Sequence, residues 1–282
     1  MGTTLPTSPS HHKHRKHWAN RVKSAHPHRQ GTDGLPLQPA WREPSPPVPV
    51  IYRPLSLIKP PMNLALFDLD NTLLAGDSDV EWPRFLIDQG VLDADFYNRE
   101  NDRFYADYKA GTLNIFDFLD FQLAPLARHS REQLDAWHKA YLAERITPLM
   151  TAEGRRRVQA HQAAGDVVGV ITATNRFITA PIVAAFGIEH LIATEPEMDA
   201  DGHYTGKPAG VPCFQAGKIT RLNDWLAARG ETLASYPQSW FYSDSRNDIP
   251  LMSQVTHPVA VDPDEALRAH AEAQGWPVLS FR

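Results

Sequence analysis

From residue 62 to the C-terminus, short apolar runs that end in polar residues alternate with longer stretches of helical period. "NLALFDLD" (63–70) is the first such run. "DVVGVITATN" (166–175), with Val167, Val168, Val170 and Ile171, is the clearest. Brief apolar runs rich in β-branched residues and bounded by polar clusters read as buried strands. "SWFYSD" (239–244), "HPVAV" (257–261) and "PVLSF" (277–281) repeat the form. Residues 79–145 read as mostly helical, with a turn at "KAGT" (109–112), and a helix is predicted over 176–186 with Gly187 as its stop. "CFQAGKITRLNDWLAARG" (213–230) predicts an amphipathic helix with Ile219, Leu222, Trp225 and Leu226 on one face and Gly230 at its end. Another helix is predicted near 264–274, and "HLIATEPEMDADGHYTGKPAG" (190–210) predicts a hairpin turning at Asp201–Gly202. Strands alternating with helices imply an α/β fold, a mainly parallel sheet between two helical layers. The long helical stretch after the first strand reads as an inserted cap. The expected organisation is a leader, 1–61, a core of 62–76 with 155–282, and a helical cap, 77–154.

Charge separates the leader from the rest. Residues 1–61 hold nine Lys or Arg against Asp33 and Glu43, and 12 of the 24 prolines. They show neither period and read as disordered. The run "HHKHRKH" (11–17) reads as a solvated tail rather than a metal or nucleic-acid site, and Met62 is a plausible natural start. The overall charge of −5 then leaves −12 on residues 62–282, a poor match for nucleic acid. No stretch approaches the roughly 18 apolar residues of a membrane span. Cys213 is the only cysteine, which excludes an intrachain disulfide and fits a cytoplasmic setting. The pattern sets no oligomeric state.

Three predicted strands end in polar clusters, "DLDNT", "TATN" and "SDSRND". In a parallel sheet such ends converge on one edge, where ligands bind. Together they offer the carboxylates of Asp68, Asp70, Asp244 and Asp248, with Thr172, Asn247 and, near a helix start, Lys218. Carboxylates gathered at one point repel unless a cation sits among them, and hard oxygen ligands favour Mg²⁺. A metal, a lysine and a helix N-terminus attract an anion, most often phosphate. One aspartate could then attack phosphorus, and the other, two residues on, could move the protons.

These motifs resemble the haloacid dehalogenase superfamily in its phosphatase form. "FDLDNTLL" is similar to its D-x-D-x-T motif, "VITATN" to its second, Lys218 in "AGKI" to its third, and "YSDSRND" to its fourth. The resemblance covers 62–282 and implies a Rossmann-like three-layer core. It makes Asp68 the nucleophile and Asp70 the general acid and base. Mg²⁺ would be held by Asp68, Asp70 through its carbonyl, and Asp244, with Asp248 in support. Thr172, the amide of Ala173, Lys218 and Asn247 would hold the phosphoryl group. The gap of 104 residues between Asp68 and Thr172 resembles the subclass with a helical cap, like phosphoserine phosphatase. "FDLDNTLLAGDSDVEW" is most similar to a branch that includes bacterial histidinol phosphatases. The expected partner is a small phosphorylated metabolite, first histidinol phosphate and second phosphoserine. Phosphotransfer is a related alternative. A non-catalytic binding module is disfavoured, because no cluster has lost its reactive group.

Around the cap, Asp77, Asp79 and Glu81 read as an acidic entrance. Ser78 and Glu81 have the capping-box form, Asp77 is a candidate substrate contact, and Arg145 is a candidate reaching the site from the cap. Phe116, Phe118 and Phe121 are expected in the cap core, and His129, His138 and His161 on solvated helix faces.

Overall fold

β1 (Leu64–Phe67) is buried along its whole length, as a strand with neighbours on both sides and helices on both faces must be. The computed structural model describes residues 62–282; the reading of 1–61 as a disordered leader lies outside them. After β1 come α1 (Ser78–Asp88), α2 (Ala94–Ala110), α3 (Ile115–Leu123), α4 (Arg131–Tyr141) and α5 (Ala152–Ala163). Next are β2 (Val167–Asn175), α6 (Arg176–Ala185), β3 (His190–Met198), β4 (Tyr204–Ala209) and α7 (Ala216–Ala227). The chain ends with β5 (Ser239–Ser243), α8 (Ile249–Met252), β6 (His257–Val261), α9 (Glu265–Gln274) and β7 (Val278–Leu279).

Among the described residues the strands form one seven-stranded sheet in the order β4-β3-β2-β1-β5-β6-β7. All neighbours are parallel except β3 and β4, the predicted hairpin. β1 lies between β2 and β5, with Leu64 opposite both Val167 and Ser239. The chain winds outward from β1 in both directions, so a crevice opens beyond its carboxyl end. Two apolar clusters flank the sheet. One joins Ala65, Phe67, Val168 and Val170 to α1, α4 and α6; the other joins Leu64, Leu66, Ile171 and Phe241 to α7 and α9. This alternation of β1 side chains between the two faces follows from the two-residue period of a strand.

The helical stretch departs from expectation in detail. His138 and His161 are buried rather than solvated. His138 Nε2 donates to Ile178 O at 2.8 Å, and His161 sits between Asp166 (2.7 Å) and the Tyr242 hydroxyl (2.9 Å). Each ring has polar partners at hand, which makes its burial tolerable. Phe116, expected inside the cap, is 54% exposed. No described helix is long and apolar enough to cross a membrane.

Candidate active site

The chain reverses directly after β1. Asn71 takes a left-handed φ of 57°, which asparagine adopts more readily than most residues, and its amide donates to Gly76 O at 2.8 Å. The reversal holds Asp68 against the sheet, its own amide donating to Tyr242 O on β5 at 2.9 Å. Lys218, on the first turn of α7, reaches the same point and donates to Asp68 Oδ1 at 2.8 Å and to Asp248 Oδ2 at 2.7 Å. Ser243, the last residue of β5, donates to that Asp248 oxygen at 2.6 Å. Thr72 Oγ1 lies 3.5 Å from Asp68 Oδ2 and 3.2 Å from Asp244 Oδ1. Segments far apart in sequence therefore meet at Asp68. Gly217 lets α7 start where it does: a Cβ there would come within 2.0 Å of Pro212 O.

Asp70 faces the other way, toward the start of α1. Its Oδ1 accepts from the Ser78 amide at 2.7 Å and its Oδ2 from Thr174 Oγ1 at 2.8 Å. It thus satisfies the first free N–H of α1 and lies at the positive end of that helix. Thr174 can reach it because β2 loses register with β3 between Ile171 and Asn175. A local irregularity of this kind re-aims side chains, here those of Thr172, Ala173 and Thr174. The Thr172 hydroxyl accepts the Thr174 amide at 3.2 Å, and Ala173 O accepts from Thr194 Oγ1 at 2.7 Å. Asn247 stands on the loop after β5, its side-chain oxygen accepting from Gln215 at 3.0 Å.

Burial dominates the electrostatics. It pushes the Asp68 carboxyl up to about 7, with Lys218 pulling down and Asp248 pushing up. Burial, then Asp77, also takes Asp70 to about 7 against the hydrogen bonds from Ser78 and Thr174. Burial and then Asp68 and Asp248 hold Asp244 well above the usual carboxylate range. For Lys218 burial works against the charged form, but Asp248 and Asp68 outweigh it and the pKa rises.

The two remaining candidates have partners of their own, Asp77 while lying close enough to Asp70 to push its carboxyl up. Asp77 caps α1: its Oδ1 accepts from the amides of Asp79 (2.9 Å) and Val80 (3.1 Å). This replaces the expected Ser78–Glu81 capping box, because Ser78 already lies within the helix and its amide is held by Asp70. Glu81 instead pairs with Arg84 at 2.8 Å. Arg145 pairs with Asp88 and lies 4.0 Å from Glu81, with no member of the carboxylate cluster among its partners. Thr72, Thr174, Ser243 and Tyr108 were not foreseen as site residues. The first three stood inside the polar clusters already singled out. Tyr108 carried no signal: it comes from the end of α2, and its hydroxyl lies 2.9 Å from Ser245 Oγ. Arg246 fastens the same corner by donating to Lys109 O at 2.7 Å.

The sequence profile of haloacid dehalogenase-like hydrolases matches residues 65–253, which span Asp68, Thr172, Lys218 and Asp248. The chain belongs to the haloacid dehalogenase-like hydrolase family. It is 52% identical over 220 residues to a histidinol-phosphatase of Neisseria meningitidis serogroup C (strain 8013), covering 78% of this chain and 99% of that one. A crystal structure of a protein of unknown function from Bordetella pertussis Tohama I superposes with a TM-score of 0.75 at 45% identity, over 79% of this chain and all of that one. A substrate-bound phosphoserine phosphatase superposes with a TM-score of 0.56 at 19% identity, over 78% of this chain and 93% of that one, and shares the fold. This member of the family is a hydrolase whose relatives lie among its phosphatases.

Proposed function

We propose that the chain is a Mg²⁺-dependent phosphomonoester hydrolase that forms an aspartyl phosphate on Asp68 and takes histidinol phosphate as substrate. The observation that carries this is the meeting of Asp68, Asp244, Asp248 and Lys218 at the end of β1, with Asp70 turned toward the cap. The donor set suits a hard divalent cation. It is all oxygen, and one hydroxyl, that of Thr72, lies within 3.5 Å of both the Asp68 and Asp244 carboxylates. Asp68, the Asp70 carbonyl and Asp244 would hold Mg²⁺, with Asp248 in support. When bound, the cation neutralises charge that builds on the phosphoryl oxygens.

Asp68 attacks phosphorus, and the bond to the ester oxygen breaks as Asp70 gives that oxygen its proton. Asp70 then takes a proton from the water that attacks the acyl phosphate, which releases inorganic phosphate and restores Asp68. Ionisation of Asp70 near pH 7 suits it to both transfers. Lys218 holds the nucleophile in place, and with Thr172, the Ala173 amide and Asn247 it binds the phosphoryl oxygens. The helical segment 77–154 serves as a cap over the leaving group. The histidinol-phosphatase relative, 52% identical over almost its full length, supports the choice of substrate. A free, buried Cys213 is compatible with a cytoplasmic enzyme.

The test is phosphate release from a panel of phosphorylated metabolites, with Mg²⁺ and with chelator. Histidinol phosphate is expected to be turned over fastest, with phosphoserine behind and chelator abolishing both. Equal, poor rates on the two would remove the substrate assignment. Full activity in chelator would remove the metal.

A further inference from the structure

The turn after β5 that carries Asn247 is held from two sides by the α/β core and from a third by α2. Ser245 Oγ accepts the Asn247 amide at 3.3 Å, and the Ser245 amide donates to Ser243 Oγ at 3.2 Å. From the start of α7, Gln215 Nε2 donates to Asn247 Oδ1 at 3.0 Å. That bond uses the acceptor of the Asn247 amide and leaves its NH₂ for an anion. Gln215 makes it from a left-handed φ of 48°, which a non-glycine residue keeps only where its surroundings impose it. The third support lies 137 residues before Ser245: the Tyr108 hydroxyl is 2.9 Å from Ser245 Oγ. Next to it, Arg246 donates to Tyr108 O at 3.4 Å and to Lys109 O at 2.7 Å. Both carbonyls belong to the last turn of α2, where carbonyls lack helical partners and a guanidinium is favoured.

We propose that Tyr108 is a positioning residue for the phosphoryl group: through Ser245 it sets the turn that aims the Asn247 amide, so the site is complete only while the end of α2 rests on this turn. This rests on the phosphatase reading above and on Asn247 as a phosphoryl ligand. Tyr108 has one polar side-chain atom, and it is spent on Ser245, while its ring lies 6.4 Å from that of Phe214, just before α7. Removing the hydroxyl alone therefore leaves the ring packing in place. Burial raises the pKa of the Tyr108 hydroxyl above its ordinary 10, so it keeps its proton at neutral pH. The support acts at the phosphorus end of the substrate. Its loss must then weaken every phosphate ester, and inorganic phosphate itself, by the same factor, whatever the leaving group.

The experiment compares wild type with Tyr108→Phe on histidinol phosphate and on p-nitrophenyl phosphate, and measures binding of inorganic phosphate with Mg²⁺ by calorimetry. The variant is expected to lose about 3- to 10-fold in kcat/KM on both esters, as for one neutral hydrogen bond, with the Kd for phosphate raised by the same factor. Ser245→Ala should do the same, and the double variant should lose no more than either single one, because both remove one interaction. Unchanged phosphate binding would overturn the proposal, with or without a lower melting temperature, since the contact would then be packing alone. A loss confined to one ester would also overturn it, by placing Tyr108 at the leaving group. Losses that multiply in the double variant would show that Tyr108 does not act through Ser245. A wild type that turns over neither ester would break the phosphatase reading instead. Phosphate binding would then decide this proposal: weakening in the variant supports it, and no change, or no binding by wild type, overturns it.

Discussion

The end of β1 and the start of α1 face each other across Asp70, and they are built on opposite plans. On the sheet side, Lys218, Ser243 and Thr72 hold the carboxylates of Asp68, Asp248 and Asp244 with donors between 2.6 and 3.5 Å away. On the helix side, Ser78 Oγ, Asp79 Oδ1 and Trp82 Nε1 are buried with no hydrogen-bond partner among the described residues. Groups that act on phosphorus must be held rigidly before the substrate arrives, since preorganised charge is what lowers the barrier. The contrast sets carboxylates that the fold itself holds against polar atoms that it leaves without a hydrogen-bond partner.

The strongest way to break the comparison is Asp68→Asn. Turnover of p-nitrophenyl phosphate should fall by roughly 10⁴-fold or more, as expected of a nucleophile, with the melting temperature retained. Near-normal rates would end the nucleophile assignment. Next is Lys218→Met, which leaves the buried Asp68 and Asp248 without a counter-charge. Denaturant unfolding of the metal-free protein should show a loss of about 3–5 kcal/mol. A loss below about 1 kcal/mol would mean that the sheet-side network is not held as tightly as its distances suggest.

The third sharpens the electrostatics. Asp68 and Asp70 titrate near 7 in the folded chain, above their ordinary 3.8. The folded state therefore binds more protons than the unfolded one between those values. Their stabilising contribution is complete below about pH 4 and is lost as pH rises through 7. Mg²⁺ should raise the melting temperature more at about pH 8 than at about pH 5, since a cation replaces the missing protons. Equal shifts at both would contradict this. The smallest expected effect is on the helix side. Asp77→Ala should cost about 1 kcal/mol of stability through the lost cap, with Asp77→Asn nearly neutral. An unchanged stability in the alanine variant would show that α1 is held by Asp70 and packing alone.

Much of the core could be read before any coordinates. β2 and β5 run where the apolar patterns put them, α6 stops before Gly187 and α7 before Gly230, and the hairpin turns at Gly202, which has a φ of 83°. These features are local, set by period and by glycine's freedom in the left-handed region. The helical stretch after β1 was harder to read. Ser78 looked like a helix cap, but the cap is Asp77, because a carboxylate eight residues upstream claims the Ser78 amide. Arg145 looked available to the site and is engaged by Asp88. His138 and His161 looked solvated, and long-range partners at Ile178 and Tyr242 receive them inside.

The chain's pattern of apolar runs and polar ends is enough to specify a parallel α/β sheet with reactive groups at its strand ends, because strand period and side-chain chemistry are properties of neighbouring residues. Which of those groups meet, and which are left without a partner, depends on contacts between segments more than a hundred residues apart. Lys218 finds Asp68 and Thr174 finds Asp70 only through the packing of β1 between β2 and β5 and the loss of register in β2. Burial, which raises the carboxyls of Asp68, Asp70, Asp77, Asp79 and Asp244, is likewise a property of the folded whole.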